Sequence, residues 1–274
     1  MHRRPLAWLV LLALVAAPPA LAEPQPVASS AGRPTASASA GVPIIHLSGD
    51  AEAMGASHGR QLGAIIRPAF AKYFGEYFQG EARRQQAAQA VRAFEQFVRP
   101  EHLVEIRALA RAANIAEGEA LLAQAFLDLA APGGCSTLAL PASAAPDGVP
   151  RMARNLDFFS FDVADRHSTL LIFHPKDAFA FASVSWPGIV GVLSGMNEHG
   201  LCVANMEVPR SPRPPTAMPN MLLYRTLLER CRTVDEAIKL LRETPRQTAN
   251  NLMLIDASGD RAVAEIRPDD ITAR

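Results

Sequence analysis

The residues best suited to covalent chemistry are Gly134 and Cys135, at the head of the segment GGCSTLALPASAAPDGVPRMARNLDFF. A cysteine thiolate is a strong nucleophile, and free thiols ionise with a pKa of about 8.5. Were Cys135 a chain N-terminus, its own α-amine, a group that titrates near about 7.7–8, would lie within reach of the sulfur by covalent geometry alone. The amine would then serve as the base, and no histidine is required. Gly134 suits the cleavage that creates such a terminus. Its carbonyl is open to the sulfur, and its backbone accepts the strain of an N→S acyl shift. Asp157, twenty-two residues further on, supplies a carboxylate to orient the proton donor and hold the aminium. Arg154 could hold that carboxylate or bind a substrate acid. Strand parity puts Asn155 and Asp157 on one face and Arg154 on the other, unless a bulge re-aims one of them.

Cys135 sits where the hydrophobic period changes. Before it, Met54, His58, Leu62, Ile65 and Ile66 recur at helical spacing, and Phe70, Tyr73, Phe74 and Tyr77 continue the stripe. Val91 to Val98 predict a second helix ended by Pro100, Leu103 to Leu109 a third stopped at Asn114, and Leu121 to Leu129 a fourth. After it, Cys135–Leu140 alternates as a strand, and the turn-rich Pro141–Pro150 returns the chain. Further strands are predicted at Met152–Phe159, Thr169–Phe173, Phe179–Trp186 and Ile189–Met196. Asn197-Glu198-His199-Gly200 then turns into Leu201–Val208. Two helices follow, Met221–Cys231 and Val234–Glu243, the second opened by a capping box of Thr233 and Glu236. Strands at Leu252–Asp256 and Ala262–Ile266 complete a layered α+β domain.

The rest of the chain bounds the setting. Arg3 and Arg4, the apolar run Leu6–Ala16 and the small-residue site Ala20-Leu21-Ala22 read as a secretory leader over 1–22. Residues 23–41, rich in Ala, Ser and Pro, read as a disordered linker. The protein is therefore expected to be exported, to the periplasm or beyond, with no stable membrane span. Lys and Arg together number 27, as do Asp and Glu, and no basic stripe appears, which argues against nucleic acid as a partner. Of three cysteines, Cys202 and Cys231 could pair in an oxidising compartment and leave Cys135 free; the other reading is three small buried hydrophobes. His58, on the apolar stripe, reads as a core or capping residue and His199 as a solvated turn residue. His167 and His174 lack a supporting motif. No His, Cys, Asp or Glu spacing matches a metal site, and the chemistry needs no cofactor.

Three motifs carry a family resemblance: Gly134-Cys-Ser-Thr137, Arg154-Asn-Leu-Asp157 and Gly195-Met-Asn-Glu-His-Gly-Leu201. Together they resemble the autoproteolytic acyl-CoA:6-aminopenicillanate acyltransferase family, and are similar to the choloylglycine hydrolases, both N-terminal nucleophile hydrolases. Ser57-His58-Gly59, opening a long helix, fits the acyltransferase branch. The resemblance implies an αββα sandwich over 135–274, preceded by a helical pro-region (the alpha chain) over 42–134, with autocleavage between Gly134 and Cys135. It implies Cys135 as nucleophile, Asp157 as a site carboxylate and Arg154 as the arginine of the bile salt hydrolase pattern. The implied substrate is a small-molecule linear amide or acyl donor, with an amine as possible acceptor. Two departures stand out. The Thr-Asn-His-like motif that completes the oxyanion hole is absent, so the chain reads as C-terminally truncated or catalytically crippled. Where the bile salt hydrolases place an oxyanion Asn, this chain has Met206-Glu207; Asn205, two positions off, is the candidate oxyanion or substrate contact. The competing readings are an uncleaved Cys135 with a histidine base, and a non-catalytic binding module on the same fold.

Overall fold

The computed structural model describes residues 41–129, 133–209 and 213–274. The leader over 1–22 and nearly all of the linker over 23–41 lie outside the described residues. The described chain opens with strand β1 (Ile44–Gly49), then four helices: α1 (Ala51–Tyr77), α2 (Glu81–Glu95), α3 (Pro100–Ala113) and α4 (Glu117–Leu129). A hairpin of β2 (Gly134–Leu140) and β3 (Arg151–Asp157) follows, then β4 (Thr169–Pro175), β5 (Phe181–Ser185), β6 (Ser194–Asn197) and β7 (Cys202–Glu207). Helices α5 (Asn220–Arg230) and α6 (Val234–Glu243) precede β8 (Asn250–Ile255), β9 (Arg261–Ile266) and β10 (Ile271–Ala273).

Local chemistry accounts for most of these boundaries. The Asp50 carboxylate accepts from Ala53 N–H at 2.8 Å and caps α1. Pro100 opens α3 rather than closing the helix before it, because a first-turn residue needs no N–H partner. Asn114 ends α3 in the left-handed conformation, φ 54°. Thr233 Oγ1 accepts from Glu236 N–H at 3.3 Å, as the capping box predicts, but Glu236 reaches back one residue further, to Arg232 N–H.

Among the described residues, eight strands form one sheet in the order β1-β4-β5-β6-β7-β8-β9-β10; only the β1–β4 pair is parallel. Strand β1, in the segment read as purely helical, and the short edge strand β10 were not legible as strands. Ile189–Met196 pairs only from Ser194 onward. The architecture is α+β, in layers. One sheet face carries Leu171, Phe173, Phe181 and Val203 and is buried against helices. The other carries Ser194, Met196, Cys202, Ala204 and Met206. The β2–β3 hairpin packs on this second face, over β7 and β8, with Thr137 Oγ1 donating to Met206 Sδ at 3.0 Å. These are the α, β and β layers of an αββα sandwich.

All three cysteines are free. A Cys202–Cys231 disulfide does not form, because the two lie on opposite sides of the large sheet. Cys202 points to the hairpin side, whereas Cys231 ends α5, whose Leu228 packs beneath Gly195 on the helix side.

Helices α1 and α3 approach closely along Gly55, Gly59 and Gly63. A Cβ on Gly59 would lie 2.6 Å from both Leu109 O and Ala112 Cβ, and one on Gly55 would overlap the Glu105 carbonyl. Side chains there would push α3 away from α1. Gly55→Ala is expected to destabilise the protein by about 1–3 kcal/mol, read as a lower thermal midpoint. An unchanged or raised midpoint would contradict this packing.

Candidate active site

The β2–β3 register pairs Cys135 with Leu156, Gly134 with Asp157 and Thr137 with Arg154. Alternation then turns Cys135, Thr137 and Arg154 toward the large sheet. There Arg154 Nη2 donates to Cys135 Sγ at 3.4 Å and to Asn205 O at 3.1 Å, and Nη1 donates to Ser194 Oγ at 3.1 Å. The guanidinium is thus fixed from β6 and β7 and touches the sulfur directly. Its Nε is buried with no partner among the described residues.

Asp157 is on the other face, as parity predicts; no bulge re-aims it. Arg154 therefore holds the thiol and not the Asp157 carboxylate, which instead accepts from Asn155 Nδ2 at 2.7 Å. The carboxylate lies alongside Gly134, with Oδ2 3.7 Å from where a Cβ on that glycine would stand. Gly133 is tighter still: a Cβ there would sit 2.7 Å from Asp157 O and overlap the Phe158 ring. Gly133 is required for the chain to pass β3 at this point, whereas a Cβ on Gly134 would come no closer than 3.3 Å to Asp157 Cβ.

Asn205 is buried, but its Nδ2 donates to Glu207 Oε1 at 3.0 Å, which leaves it poorly placed as an oxyanion donor. Its contribution to the site is the carbonyl that holds Arg154. His58 lies deep in the core and His199 packs edge-on to Phe179, both away from the sulfur. His167 lines the cavity described next, and His174 pairs with His46 on β1.

Arg154, Ser194 and Asn205 stand at one part of a cavity of about 790 Å³. Its lining is largely apolar: Phe70, Tyr73 and Phe74 of α1, Phe126 of α4, and Phe158 and Phe159 just after β3. The Tyr73 hydroxyl donates to Phe159 O at 3.0 Å; burial, then the neighbouring Tyr77, raises its pKa, so it stays a donor. Phe161 and Asp162 take positive φ, 50° and 55°, a strained turn that folds the aromatic loop onto α1. Cys202 also lines the cavity, but burial pushes its thiol up to about 11, as burial does for Cys231. Neither is a nucleophile near neutrality.

Behind the cavity lies a buried charge cluster. Arg225 pairs with Glu105 at 2.6 Å and Glu229 at 2.7 Å, and Glu229 meets His102 at 3.0 Å. Asp128 of α4 accepts from Asn220 N–H and from the Thr248 hydroxyl. Sequence patterning offered no signal for this cluster, because its residues are scattered along the chain from His102 to Thr248.

Residues 144–274 match the family model described as acyl-coenzyme A:6-aminopenicillanic acid acyl-transferase. The match covers just under half of the chain. The match begins nine residues after Cys135. Solved structures similar to this chain include a conjugated bile acid hydrolase from Clostridium perfringens, at 20% identity over 51% of this chain and 50% of that one, TM-score 0.38. Another is a Caenorhabditis elegans ortholog of N-acylethanolamine-hydrolyzing acid amidase, at 15% identity over 51% and 63%, TM-score 0.42. A third is penicillin V acylase from Agrobacterium tumefaciens, at 19% identity over 53% and 42%, TM-score 0.28. Each match spans less than two thirds of the relative's own chain. No curated protein sequence matches the chain.

Two buried groups tie stability to pH in the same direction. Burial, then Arg225, pushes His58 down to about 3 from 6.5. Burial would raise Glu229, but Arg225 and the His102 hydrogen bond outweigh it and bring the carboxyl to about 2 from 4.5. Both bind fewer protons folded than unfolded, so stability present above pH 6.5 is lost as pH falls, first through His58 and then through both. The unfolding free energy is expected to decline steadily below pH 6.5, and His58→Gln to flatten the upper part of that decline. A profile level from pH 6.5 to 4.5 would contradict the buried, neutral His58.

Proposed function

We propose that the protein is a self-cleaving cysteine amidase whose acyl-enzyme forms on Cys135. The observation that carries this reading is the Arg154 guanidinium, pinned by Ser194 and Asn205 against Cys135 Sγ at the edge of a large apolar cavity. The family-model match over residues 144–274 supports it.

In the precursor, the Cys135 sulfur attacks the Gly134 carbonyl carbon. The C–N bond breaks, the nitrogen leaves as the Cys135 amine, and water hydrolyses the resulting thioester to a Gly134 carboxylate and the free thiol. Asp157, beside Gly134, is placed to hold the aminium that appears there. In turnover, the amine takes the thiol proton as sulfur adds to a substrate amide carbonyl, then passes it to the departing amine. Water, or an acceptor amine, attacks the thioester and restores the thiol. Arg154 opposes the negative charge that develops at the sulfur and carbonyl oxygen. The aromatic lining suits an apolar acyl group, because a cavity so poor in polar partners would strip a hydrophilic one of its hydration. Export by the leader over 1–22 is part of the same proposal and sets the enzyme's encounter with substrate outside the cytoplasm.

Denaturing electrophoresis is expected to show two fragments from the wild type and one intact band from Cys135→Ala. Cleaved protein should hydrolyse acyl-aminocoumarin amides, with Arg154→Met lowering kcat/KM about 10²–10³-fold. A single active band of full length, or a Cys135→Ala protein that still turns over, would overturn the reading.

A further inference from the structure

Residues 186–193 have the composition of a strand, yet leave the ladder; Ile189 and Val192 N–H donate to backbone carbonyls, and the polar groups of Gly188, Val190 and Gly191 are taken up by side chains. Gly188 N–H donates to His58 Nε2 at 2.9 Å, and Gly188 O accepts from Gln124 Nε2 at 3.0 Å. Val190 and Gly191 N–H both donate to Gln124 Oε1, at 2.9 and 3.1 Å. Val190 O accepts from Arg225 Nη1 at 3.1 Å. His58 and Gln124 are fully buried. A glutamine is suited to this post: one end of its side chain donates to a carbonyl while the other accepts two N–H groups. The held backbone also has little room to slide. A Cβ on Gly188 would overlap the Phe70 ring, and one on Gly191 would lie 2.7 Å from Met221 Cβ.

This segment is a wall of the cavity, contributing Trp186, Pro187, Ile189 and Leu193. It runs straight into Ser194, which receives Arg154 Nη1, while Arg154 Nη2 reaches Cys135 Sγ. His58 and Gln124 both precede Cys135 in the chain, so the wall of the downstream segment is fixed by side chains of the upstream one. We propose that His58 and Gln124 are positioning residues. From the upstream side of the Gly134–Cys135 bond, they hold the 188–191 wall and so set both the shape of the acyl cavity and the Ser194–Arg154 contact. The activity readout below rests on the amidase reading; the exchange readout does not.

In wild-type protein, native-state hydrogen exchange at the Gly188, Val190 and Gly191 amides is expected to be as slow as in β7 and β8. Exchange at the rate of an exposed loop overturns the proposal, whatever the enzyme does. For activity, His58→Gln keeps an acceptor near the Nε2 position, whereas His58→Leu and Gln124→Met remove the polar contacts. On long-chain acyl-aminocoumarin amides, the Leu and Met variants are expected to raise KM about tenfold or more, with a smaller change in kcat. They should scarcely affect short-chain amides, and His58→Gln should stay within about threefold of wild type. Equal losses on short and long chains, or wild-type KM values, overturn the proposal. A Leu or Met variant that fails to fold leaves the exchange measurement to decide it. A wild type inactive on all amides refutes the amidase reading and not this inference.

Discussion

Arg225 carries a full charge in the centre of the molecule, at 1% exposure, and most of the structure can be derived from how that charge is met. Its partners are the Glu105 and Glu229 carboxylates, the Val190 carbonyl and the faces of Phe173 and Phe181, 4.9 and 5.4 Å from the guanidinium carbon. Each lies on a different element: α3, α5 itself, the cavity wall and the two strands β4 and β5. A buried guanidinium stripped of one partner costs about 3–5 kcal/mol, so these elements come together as a set. Glu105 can reach Arg225 only if α3 is docked, and the glycine stripe of α1 fixes how closely α3 lies. Helices α1 and α4 then deliver His58 and Gln124 to the wall, and Phe70, Tyr73 and Phe126 to the cavity.

One consequence concerns the segment before Cys135. A pro-segment that merely blocked a site would contact it at the surface. Here Glu105, His102, His58, Gln124 and Asp128 are all buried against residues downstream of Cys135. Breaking the chain at Gly134 removes none of these contacts. The hairpin adds a division of labour: strand alternation places Arg154 with the sulfur on the sheet side and Asp157 beside Gly134 on the outer side. Two charged groups three residues apart thus lie beside Cys135 and Gly134 respectively without neutralising each other.

Much of this was legible in the sequence, for identifiable reasons. The change of hydrophobic period at Cys135 marked the passage from helices to sheet, and alternation in Arg154-Asn-Leu-Asp157 marked the facing of its side chains. The motif around Asn197 was legible as a resemblance, but its basis is structural. Asn197 Nδ2 donates to Leu228 O and Cys231 O and its Oδ1 accepts from His199 and Leu201 N–H, locking the β6–β7 turn to α5. Ser57-His58-Gly59 is similar: His58 holds the wall and Gly59 admits α3. Residues 189–193 misled because apolar, β-branched composition describes a buried segment equally well whether its hydrogen bonds go to strands or to side chains. The buried cluster around Arg225 left no trace, since long-range pairing of charges has no period. Strand β1 was hidden because Ile44–Gly49 is short and its one sheet partner, β4, lies over 120 residues away.

The central claim is that the segments on either side of Gly134–Cys135 form one body around one cavity after the bond between them is cut. Mass spectrometry of the purified protein under both native and denaturing conditions tests it most directly. The account predicts a native mass that contains both segments, and two denatured masses, the larger-numbered fragment beginning at Cys135. A native mass of the downstream fragment alone, or a denatured chain uncut before Cys135, would contradict it.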